Sequence, residues 1–344
     1  MKNKMSFASD NFAGVHPDIL RSIGDANKGH EKAYGYDQYT KRFNEMLKSI
    51  FEQDIDAYLV FTGTAANVLS IRCLIDTFDA VICTDSAHMN VYEGGAPEMY
   101  TGNKLIDLPS HDGKINIEDI KPYLHFQGDE HHVQPRLISI TQSTELGTVY
   151  KPEEIKEIAD FAHANNMKLH MDGARIYNAA ASLNVSLKAI TSDVGVDVLS
   201  LGGTKNGMMI GEAIVFFDPS MSKKFKLIRK QGMNLFSKMR FFAAQYEALF
   251  TNDLWLKNAR NANQMAKYLV EQIKDIKEIE IINKVESNAI FVRIPAHIIE
   301  KLQQEFFFYI RDADESIVRW MTSFDTRKEH IDEFVREIKR ILNY

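Results

Sequence analysis

Lys205 is the residue of this sequence whose setting points most directly to covalent chemistry. It follows a predicted strand in the stretch SLGGTKNGMMIGE (Ser200–Glu212), with glycines on both sides. Glycines allow a tight turn and the close approach of a ligand. A lysine in such a place is partly desolvated, which lowers its pKa and frees the amine to form a Schiff base. Most lysines beside glycines are simply exposed loop residues, so the prediction depends on the other motifs.

An aspartate ends another predicted strand, in HMDGARIYNAA (His170–Ala180). A lysine that forms a Schiff base suggests pyridoxal phosphate (PLP), and the PLP ring is a better electron sink when a carboxylate keeps its nitrogen protonated. Asp172 is placed to do this. Because aspartate before glycine is also common in turns and helix caps, this motif alone leaves both interpretations open.

A strand-to-helix turn in FTGTAANVLSIRCLI (Phe61–Ile75) offers a place for a phosphate. Free amides at a helix N-terminus, here at Gly63, Thr64 and Ala65, attract anions, and the threonine hydroxyl adds a hydrogen-bonding group. The alternative is an ordinary turn in which Thr64 caps the helix. The Walker pattern GxxxxGK[ST] does not occur in this stretch.

His88 completes the set, in CTDSAHMNVYEGGAPE (Cys83–Glu98), a few residues after another predicted strand. An imidazole there is suited to stack on a bound pyridine ring, although a lone histidine is more often structural or exposed. Together the four motifs follow one another in order, each at a predicted carboxyl end of a strand. This is the sequence of parts found in fold-type-I PLP enzymes.

The elements that position these residues alternate between strand and helix. Several predicted strands are apolar without alternation, as in parallel strands buried on both faces. The helix predicted over Lys151–Asn165 has Pro152 in its first turn and an apolar stripe along one face. This rhythm predicts a doubly wound, mostly parallel α/β sheet with its ligand at the carboxyl ends of the strands. The strands are predicted at Ala57–Phe61, Ala80–Cys83, Leu137–Ile140, Lys168–Met171, Val196–Leu201 and Ala213–Phe217.

The alternation of predicted strands and helices changes near Phe250. A long helix, Leu254–Ile273, precedes three candidate strands and a closing helix with one apolar face, which predicts a smaller α+β domain. We therefore expect an N-terminal segment that contributes to the active site (1–20), a large PLP-binding α/β domain (21–250) and a small C-terminal α+β domain (251–344). The candidate strands are Ile279–Ile282, Ala289–Ile294 and Ser316–Met321.

The composition argues against several classes of protein. The 41 basic and 47 acidic residues give a net charge of −6, which offers no broad basic surface for nucleic acid or an anionic membrane. Cys73 and Cys83 do not make a disulfide framework, and they lack the spacing of a zinc site. The expected chemistry requires no metal. The start, MKNKMSFASDNF, has no apolar h-region, and no apolar run approaches the roughly 20 residues of a bilayer span. We therefore expect a cytoplasmic location.

A series of motifs resembles the low-specificity L-threonine aldolases of the β-eliminating lyase group. The similarity runs from FASDNFAGVHPDIL (Phe7–Leu20) to IVRWMTSF (Ile317–Phe324) and so covers nearly the whole chain. It implies a fold-type-I PLP enzyme that cleaves L-threonine, L-allo-threonine or a related β-hydroxy-α-amino acid to glycine and an aldehyde. The motifs between are AYGYDQYTKRFNEML, FTGTAAN, DSAHMNVYEGGAPE, TQSTELGTVYKPEEI, HMDGARIYNA and SLGGTKNGMMIGE.

The resemblance assigns the cofactor contacts. Lys205 would carry PLP as a Schiff base, Asp172 would pair with the ring nitrogen, and His88 would stack on the ring. The turn formed by Gly63, Thr64 and Ala65 would hold the phosphate, and Arg175 would also border the cofactor.

The resemblance also assigns the substrate contacts and an assembly. Ser9, Arg175 and Arg319 would bind the substrate carboxylate, which suits the geometry of a guanidinium, although a surface ion pair is an alternative for Arg319. Relatives form homodimers or homotetramers with sites at the subunit boundary. In such an assembly Tyr34 and Arg240 would reach the site of a neighbouring subunit.

One departure concerns the general base. Many threonine aldolases carry an ENTHN-like stretch whose histidine lies near the substrate hydroxyl, whereas this chain reads TQSTELG (Thr141–Gly147), with Thr144 at or near that position. The role of that histidine therefore cannot be transferred. We expect His88 to assist the proton transfer, directly or through water, with Glu145 as the second candidate.

Other functions use the same machinery. A phenylserine-type aldolase or a β-eliminating amino-acid lyase would need the same cofactor residues, and only the products separate them. A regulator or scaffold that has lost catalysis is an alternative of a different class. The presence of Lys205, Asp172 and Arg319 argues against it.

Overall fold

A seven-stranded sheet forms the centre of the larger part of the protein, in a computed structural model that describes residues 5–344. The strands are β1 (Asp56–Val60), β2 (Asp79–Thr84), β3 (Lys104–Leu108), β4 (Gln134–Thr141), β5 (Lys168–Gly173), β6 (Val198–Leu201) and β7 (Glu212–Phe216). Their order across the sheet is β1, β7, β6, β5, β4, β2, β3. Strand β7 is antiparallel to both of its neighbours, and the other neighbouring strands are parallel. The strands other than β7 therefore end at the same edge of the sheet.

The sheet is buried on both faces. Every residue of β2, β6 and β7 is buried, which explains why these segments are apolar without alternation. The six strands predicted for this sheet are present, with ends that differ by a few residues. Strand β3 was not predicted, because its exposed Lys104 and Asp107 interrupt the apolar pattern of an edge strand.

Helices cover both faces of the sheet. The predicted helix at Lys151–Asn165 is present as Pro152–Ala164, and Glu154 Oε2 accepts a hydrogen bond from the Lys151 amide at its start (2.6 Å). The helices up to residue 250 are α1 (Pro17–Ala26), α2 (Gln38–Phe51), α3 (Gly63–Leu74), α4 (His88–Val91), α5 (Ala96–Thr101), α6 (Ile117–Ile120), α7 (Pro152–Ala164), α8 (Ile176–Leu183), α9 (Phe225–Gln231) and α10 (Arg240–Phe250).

A second, antiparallel sheet follows the long helix α11 (Leu254–Ile273), whose bounds match the prediction. Its strands are β8 (Glu280–Ile281), β9 (Ala289–Arg293), β10 (Tyr309–Asp312) and β11 (Ile317–Met321), and it packs with α12 (Ala296–Gln303) and α13 (Lys328–Leu342). All four residues of β10 are exposed, so this strand lacks the apolar pattern that would have predicted it.

The N-terminal segment is anchored on this second sheet. The Phe7 amide donates to the Phe307 carbonyl (2.9 Å), and the Met321 amide donates to the Phe7 carbonyl (2.8 Å). The Phe7 ring is fully buried and stacks on Phe334, with ring centroids 4.3 Å apart. The residues that follow Phe7 are thereby held beside the end of β11.

The helices described between residues 5 and 344 include none with the length and apolar character needed to cross a bilayer.

Candidate active site

The residues predicted to do chemistry meet in one cavity at the carboxyl edge of the large sheet. This cavity, of about 340 Å³, is lined by Lys205, Asp172, His88, Thr64 and Gly63. They come from four different strand ends, so the convergence follows from the parallel order of the strands. We call this space the cofactor cavity.

Glycines shape the loop that carries the lysine. A single 3-10 turn, Thr204–Asn206, follows β6. A Cβ on Gly202 would lie 2.8 Å from the Ala174 carbonyl oxygen, so a larger residue would push the loop away from β5. Gly203 donates its amide to the buried carboxylate of Glu212 (2.8 Å). The loop therefore packs against the end of β5 through Gly202 and is hydrogen-bonded to β7 through Gly203.

Lys205 is a partly buried cation whose charge is not matched by a bonded anion. Burial lowers the pKa of its amine, and the nearby charge of Arg175 lowers it further, against the opposing charges of Asp10 and Asp172. Among residues 5–344, no carboxylate lies within ion-pair distance of the amine. The neutral amine is the nucleophilic form of lysine, and a lowered pKa without a bonded anion favours that form.

Asp172 is buried at the end of β5 and both of its carboxylate oxygens are oriented by donors. Asn67 Nδ2 donates to Oδ2 and the Ala174 amide donates to Oδ1, each at 2.9 Å. Neither donor is a cation, so the carboxylate keeps its negative charge available to the cavity. Asn67, on α3, was not predicted from the sequence.

His88 lies at the start of α4, between two carboxylates. Its ring nitrogen Nδ1 is 2.9 Å from Glu93 Oε1, and its backbone amide donates to Glu145 Oε1 (2.8 Å). Glu93 Oε1 also accepts from Asn67 Nδ2 (2.9 Å), which links His88 to Asp172 through Glu93 and Asn67. Glu93 belongs to the quoted motif DSAHMNVYEGGAPE, but nothing in the sequence distinguished it from a surface glutamate.

The N-terminus of α3 leaves two amides free. Thr62, not Thr64, is the N-cap: its side-chain oxygen accepts from the Ala65 amide (3.1 Å). In the part of the chain that the structure describes, the amides of Gly63 and Thr64 have no acceptor. Ala65 differs from the prediction, because its amide is already bonded and it lines a neighbouring depression instead of the cofactor cavity.

A second cavity, of about 420 Å³, adjoins the first. It contains the three residues predicted to bind a carboxylate, Ser9, Arg175 and Arg319. Arg319 Nη2 donates to the Ala8 carbonyl (3.0 Å), whereas its Nε is buried without a partner. Burial and the neighbouring charge of Arg175 lower the pKa of Arg319 to about 10. Within residues 5–344 Arg319 thus has no ion pair of its own, and it favours an anionic ligand. We call this space the substrate cavity.

Arg175 is held by a carboxylate that the sequence did not single out. Its Nε and Nη2 donate to the two oxygens of Asp10 at 2.7 and 2.8 Å, and Asn288 Nδ2 also donates to Asp10 (3.1 Å). Burial by itself would lower the pKa of Arg175, but the charge and hydrogen bonds of Asp10, together with the charges of Asp172 and Glu145, outweigh it and the pKa is raised. Ser9 caps the short helix Asp10–Phe12, with its hydroxyl oxygen accepting from the Asn11 amide.

Replacing Asp10 with asparagine is expected to destabilise the protein by about 2–5 kcal/mol, because the substitution leaves a buried guanidinium without its charge partner. Urea denaturation of wild type and Asp10→Asn measures the difference. Asp25→Asn, which breaks an exposed ion pair with Lys28, is the matched control and should have a far smaller effect. Equal midpoints for the Asp10 variant and wild type would contradict this assignment.

Tyr34 and Arg240 are not among the residues that line either cavity. Tyr34 is 49% exposed, and its amide donates to the Ser237 carbonyl. Arg240 donates to the Gly29 carbonyl (3.3 Å). Within a single chain neither side chain reaches the candidate site, so a contribution from these residues remains a prediction about a neighbouring subunit.

Thr144, which stands at or near the position of the ENTHN histidine, lines neither cavity. The Thr144 hydroxyl is buried and bonded to the Thr148 hydroxyl (2.7 Å) and the Asp112 carbonyl (3.2 Å), away from both cavities. The next residue, Glu145, lines both cavities instead. If the threonine of ENTHN is aligned with Thr144, the histidine of that pattern aligns with Glu145. This alignment would have singled out Glu145 from the sequence.

Comparison with known proteins identifies the family. The family model described as beta-eliminating lyase matches residues 6–297. The chain belongs to the β-eliminating lyase family. The match spans all residues of the cofactor cavity. Arg319 and the other residues of the substrate cavity after residue 297 lie outside it.

Relatives and solved structures agree with this family. The low specificity L-threonine aldolase of Pseudomonas aeruginosa is 39% identical over 98% of this chain and 97% of its own. The low specificity L-threonine aldolase of a second Pseudomonas strain is 37% identical to this chain, over 98% of this chain and 98% of its own. The solved structure of threonine aldolase from Leishmania major matches with a TM-score of 0.93 and 29% identity, covering 98% of this chain and 99% of that one. The predicted fold-type-I α/β architecture is confirmed.

The residues of the cofactor cavity fit PLP, the cofactor that the fold implies. The cavity is lined by the Lys205 amine, the buried Asp172 carboxylate and the N-terminus of α3 with the amides of Gly63 and Thr64. Within residues 5–344 the amine and the two amides have no bonded partner and the carboxylate has no paired cation. These groups match the aldehyde, the ring nitrogen and the phosphate of PLP respectively.

Proposed function

We propose that this protein is a PLP-dependent carbon–carbon lyase that cleaves L-threonine, L-allo-threonine and related β-hydroxy-α-amino acids to glycine and an aldehyde. The observation that carries the proposal is the convergence of Lys205, Asp172 and His88 in one cavity beside a second cavity with Arg319. The threonine aldolases among its relatives support the substrate class.

Four parts of the site would hold the cofactor. Lys205 would bind it covalently, Asp172 would pair with its ring nitrogen, His88 would stack on its ring, and the amides of Gly63 and Thr64 would bind its phosphate. PLP, when bound, withdraws electrons from the substrate Cα and so stabilises the negative charge that develops there. The hydrogen bonds from Asn67 and Ala174 fix the direction of the Asp172 carboxylate.

The substrate carboxylate would bind between Arg319 and Arg175. Arg319 Nε is a buried donor without an acceptor, and binding an anion removes the cost of leaving it unsatisfied. Asp10 occupies two donors of Arg175 and fixes the orientation of its guanidinium. A carboxylate held at two points restricts rotation about Cα, which selects the bond that can break.

The substrate cavity also supports a second candidate, a phenylserine-type aldolase. Its volume of about 420 Å³ is larger than a methyl group requires, and aromatic side chains form part of its lining. The aromatic residues are Phe12, Tyr92, Phe291 and Tyr309. An aryl group on the β-carbon has apolar surface to pack against here.

Product analysis tests the function. Purified protein with PLP is incubated with L-threonine, L-allo-threonine, β-phenylserine and L-serine, and the products are identified by mass spectrometry. We expect glycine with acetaldehyde from the threonines. Glycine with benzaldehyde, formed faster than acetaldehyde, would favour the second candidate. Formation of 2-oxobutyrate from the threonines, or of pyruvate from L-serine, with ammonia and without glycine, would overturn the proposal in favour of a β-eliminating lyase.

We expect the protein to form a homodimer or homotetramer. Exposed apolar side chains lie beside the N-terminus of α3, where Tyr100 and Met233 are 46% and 69% exposed and line a depression together with Thr64. A second copy of the chain would cover this surface and complete the site, in which case Tyr34 and Arg240 become contacts between subunits. Size-exclusion chromatography with light scattering measures the mass. A monomer at micromolar concentration would contradict the expectation.

A further inference from the structure

We infer that Glu145 is the catalytic base that accepts the proton of the substrate β-hydroxyl. This inference rests on the proposed cleavage reaction and reverses the order of the two candidates given by the sequence. It assigns to the carboxylate a role that the sequence favoured for His88.

The position of Glu145 is the first support. Five residues line both the cofactor cavity and the substrate cavity, and these are Asn11, His88, Glu145, Arg175 and Lys205. The asparagine amide and the guanidinium do not accept protons at neutral pH, and the lysine is assigned to the cofactor. At the junction of the two cavities this leaves His88 and Glu145.

The hydrogen bonds separate the two remaining groups. Glu93 Oε1 accepts from Nδ1 of His88, and the ring of His88 is assigned to stacking. Glu145 is anchored through one oxygen only: Oε1 accepts from the Thr141 hydroxyl (2.7 Å) and from the His88 amide (2.8 Å). Its other oxygen, Oε2, is buried and has no hydrogen-bond partner within residues 5–344. A fixed carboxylate with one unsatisfied oxygen is ready to accept a hydroxyl proton.

The electrostatic surroundings agree with this role. Burial, assisted by the charge of Asp172 and opposed by the hydrogen bonds from Thr141 and His88, raises the pKa of Glu145 to about 7. A base with a pKa near the working pH is the most effective. The titratable and charged groups around it are Cys83, His88, Tyr150, Asp172, Arg175 and Lys205.

The proton and electrons balance without another reactant. The hydroxyl proton moves to Glu145 Oε2, and the electron pair of the O–H bond becomes the second bond of the aldehyde carbonyl. The Cα–Cβ bond breaks and its electron pair remains with Cα, where a proton then completes glycine. Release of the proton from Glu145 restores the carboxylate.

The experiment compares two reactions of the same holoenzyme. Cleavage of L-threonine requires a base for the hydroxyl, whereas exchange of the glycine α-proton in D₂O does not, because glycine has no hydroxyl. For Glu145→Gln we expect kcat for cleavage to fall about 10²–10⁴-fold, with exchange changed by less than about threefold. The matched control is Glu157→Gln, an exposed glutamate on α7, which should leave both rates unchanged.

Two further variants keep the inference testable if Glu145→Gln folds poorly. Glu145→Asp should recover part of the cleavage rate. Thr141→Val removes a hydrogen bond that lowers the pKa of Glu145, so the rise of kcat with pH, expected near pH 7 in wild type, should move to higher pH. An infrared titration of wild type against Glu145→Gln, followed at the carboxylic acid C=O band, detects the same group without turnover.

The outcomes separate the inference from the proposed function. If wild type cleaves none of the β-hydroxy-α-amino acids, the proposed function fails. If wild type cleaves them and Glu145→Gln does so at the same rate and with the same pH profile, the inference alone is overturned. An equal loss of cleavage and glycine exchange would also overturn it, because the residue would then act on Cα or on folding.

Discussion

Lys205→Ala is expected to lose the visible absorption band of bound PLP and to reduce threonine cleavage by about 10⁴-fold or more. The amine is the one group of the cavity assigned to a covalent bond, and its neighbours Asp172 and His88 cannot replace it as nucleophiles toward an aldehyde. The loss should therefore concern both the spectrum and kcat. Absorption spectroscopy after dialysis and an acetaldehyde assay measure them.

A matched control separates this effect from the general removal of a cation. Lys226→Ala, on the exposed side of α9, should retain the absorption band and the full rate. A Lys205→Ala protein that kept wild-type absorption and turnover would mean that another lysine carries the cofactor, and the assignment of the cavity would be wrong.

Asp172→Asn should be the next most damaging substitution, with kcat lowered about 10²–10³-fold. Asparagine has nearly the same shape and can still accept from the Ala174 amide, so the fold and the cavity should persist. What is lost is the negative charge that keeps the ring nitrogen protonated and the cofactor electron-poor. Measurements of kcat, of the absorption spectrum and of PLP retention follow this loss.

The combination of results for Asp172→Asn is diagnostic. We expect PLP to remain bound through Lys205, with an altered spectrum and slow turnover. Asp172→Glu keeps the charge and should be less impaired than the asparagine variant if charge matters more than shape. Wild-type kcat in Asp172→Asn would show that this carboxylate serves only to cap the turn before Ala174.

Much of the candidate site could be predicted from the sequence because parallel strands bring their carboxyl ends to one edge. Lys205, Asp172 and His88 each follow an apolar segment with the pattern of a buried strand. Knowledge of the fold class was therefore enough to predict that these three residues meet at one edge of the sheet. The long helix Leu254–Ile273 was also predictable, since its apolar periodicity extends over many turns.

The supporting residues could not be predicted, because their partners are distant in the sequence. Asp10 pairs with Arg175, and Asn67 bridges Asp172 and Glu93. No local pattern encodes these contacts, which depend on how the N-terminal segment and α3 pack against the sheet. Each is a polar side chain whose role becomes visible only from the hydrogen bonds it makes.

Turn geometry accounts for the errors in detail. Thr62 and Thr64 are both plausible caps, and only the backbone conformation of Thr62 makes it the N-cap of α3. In the same way, the turn after β4 directs Thr144 toward Thr148 and brings Glu145 to the cavities. A shift of one residue along such a turn changes which side chain meets the substrate.

Reduction of the PLP-loaded protein with borohydride, followed by proteolysis and mass spectrometry, identifies the amine that carries the cofactor. Borohydride makes the bond between cofactor and lysine permanent, so the modified peptide reports which amine carries it. We predict a single pyridoxyl-modified peptide that contains Lys205. Modification of a different lysine, or none after incubation with PLP, would contradict the account of the site given above.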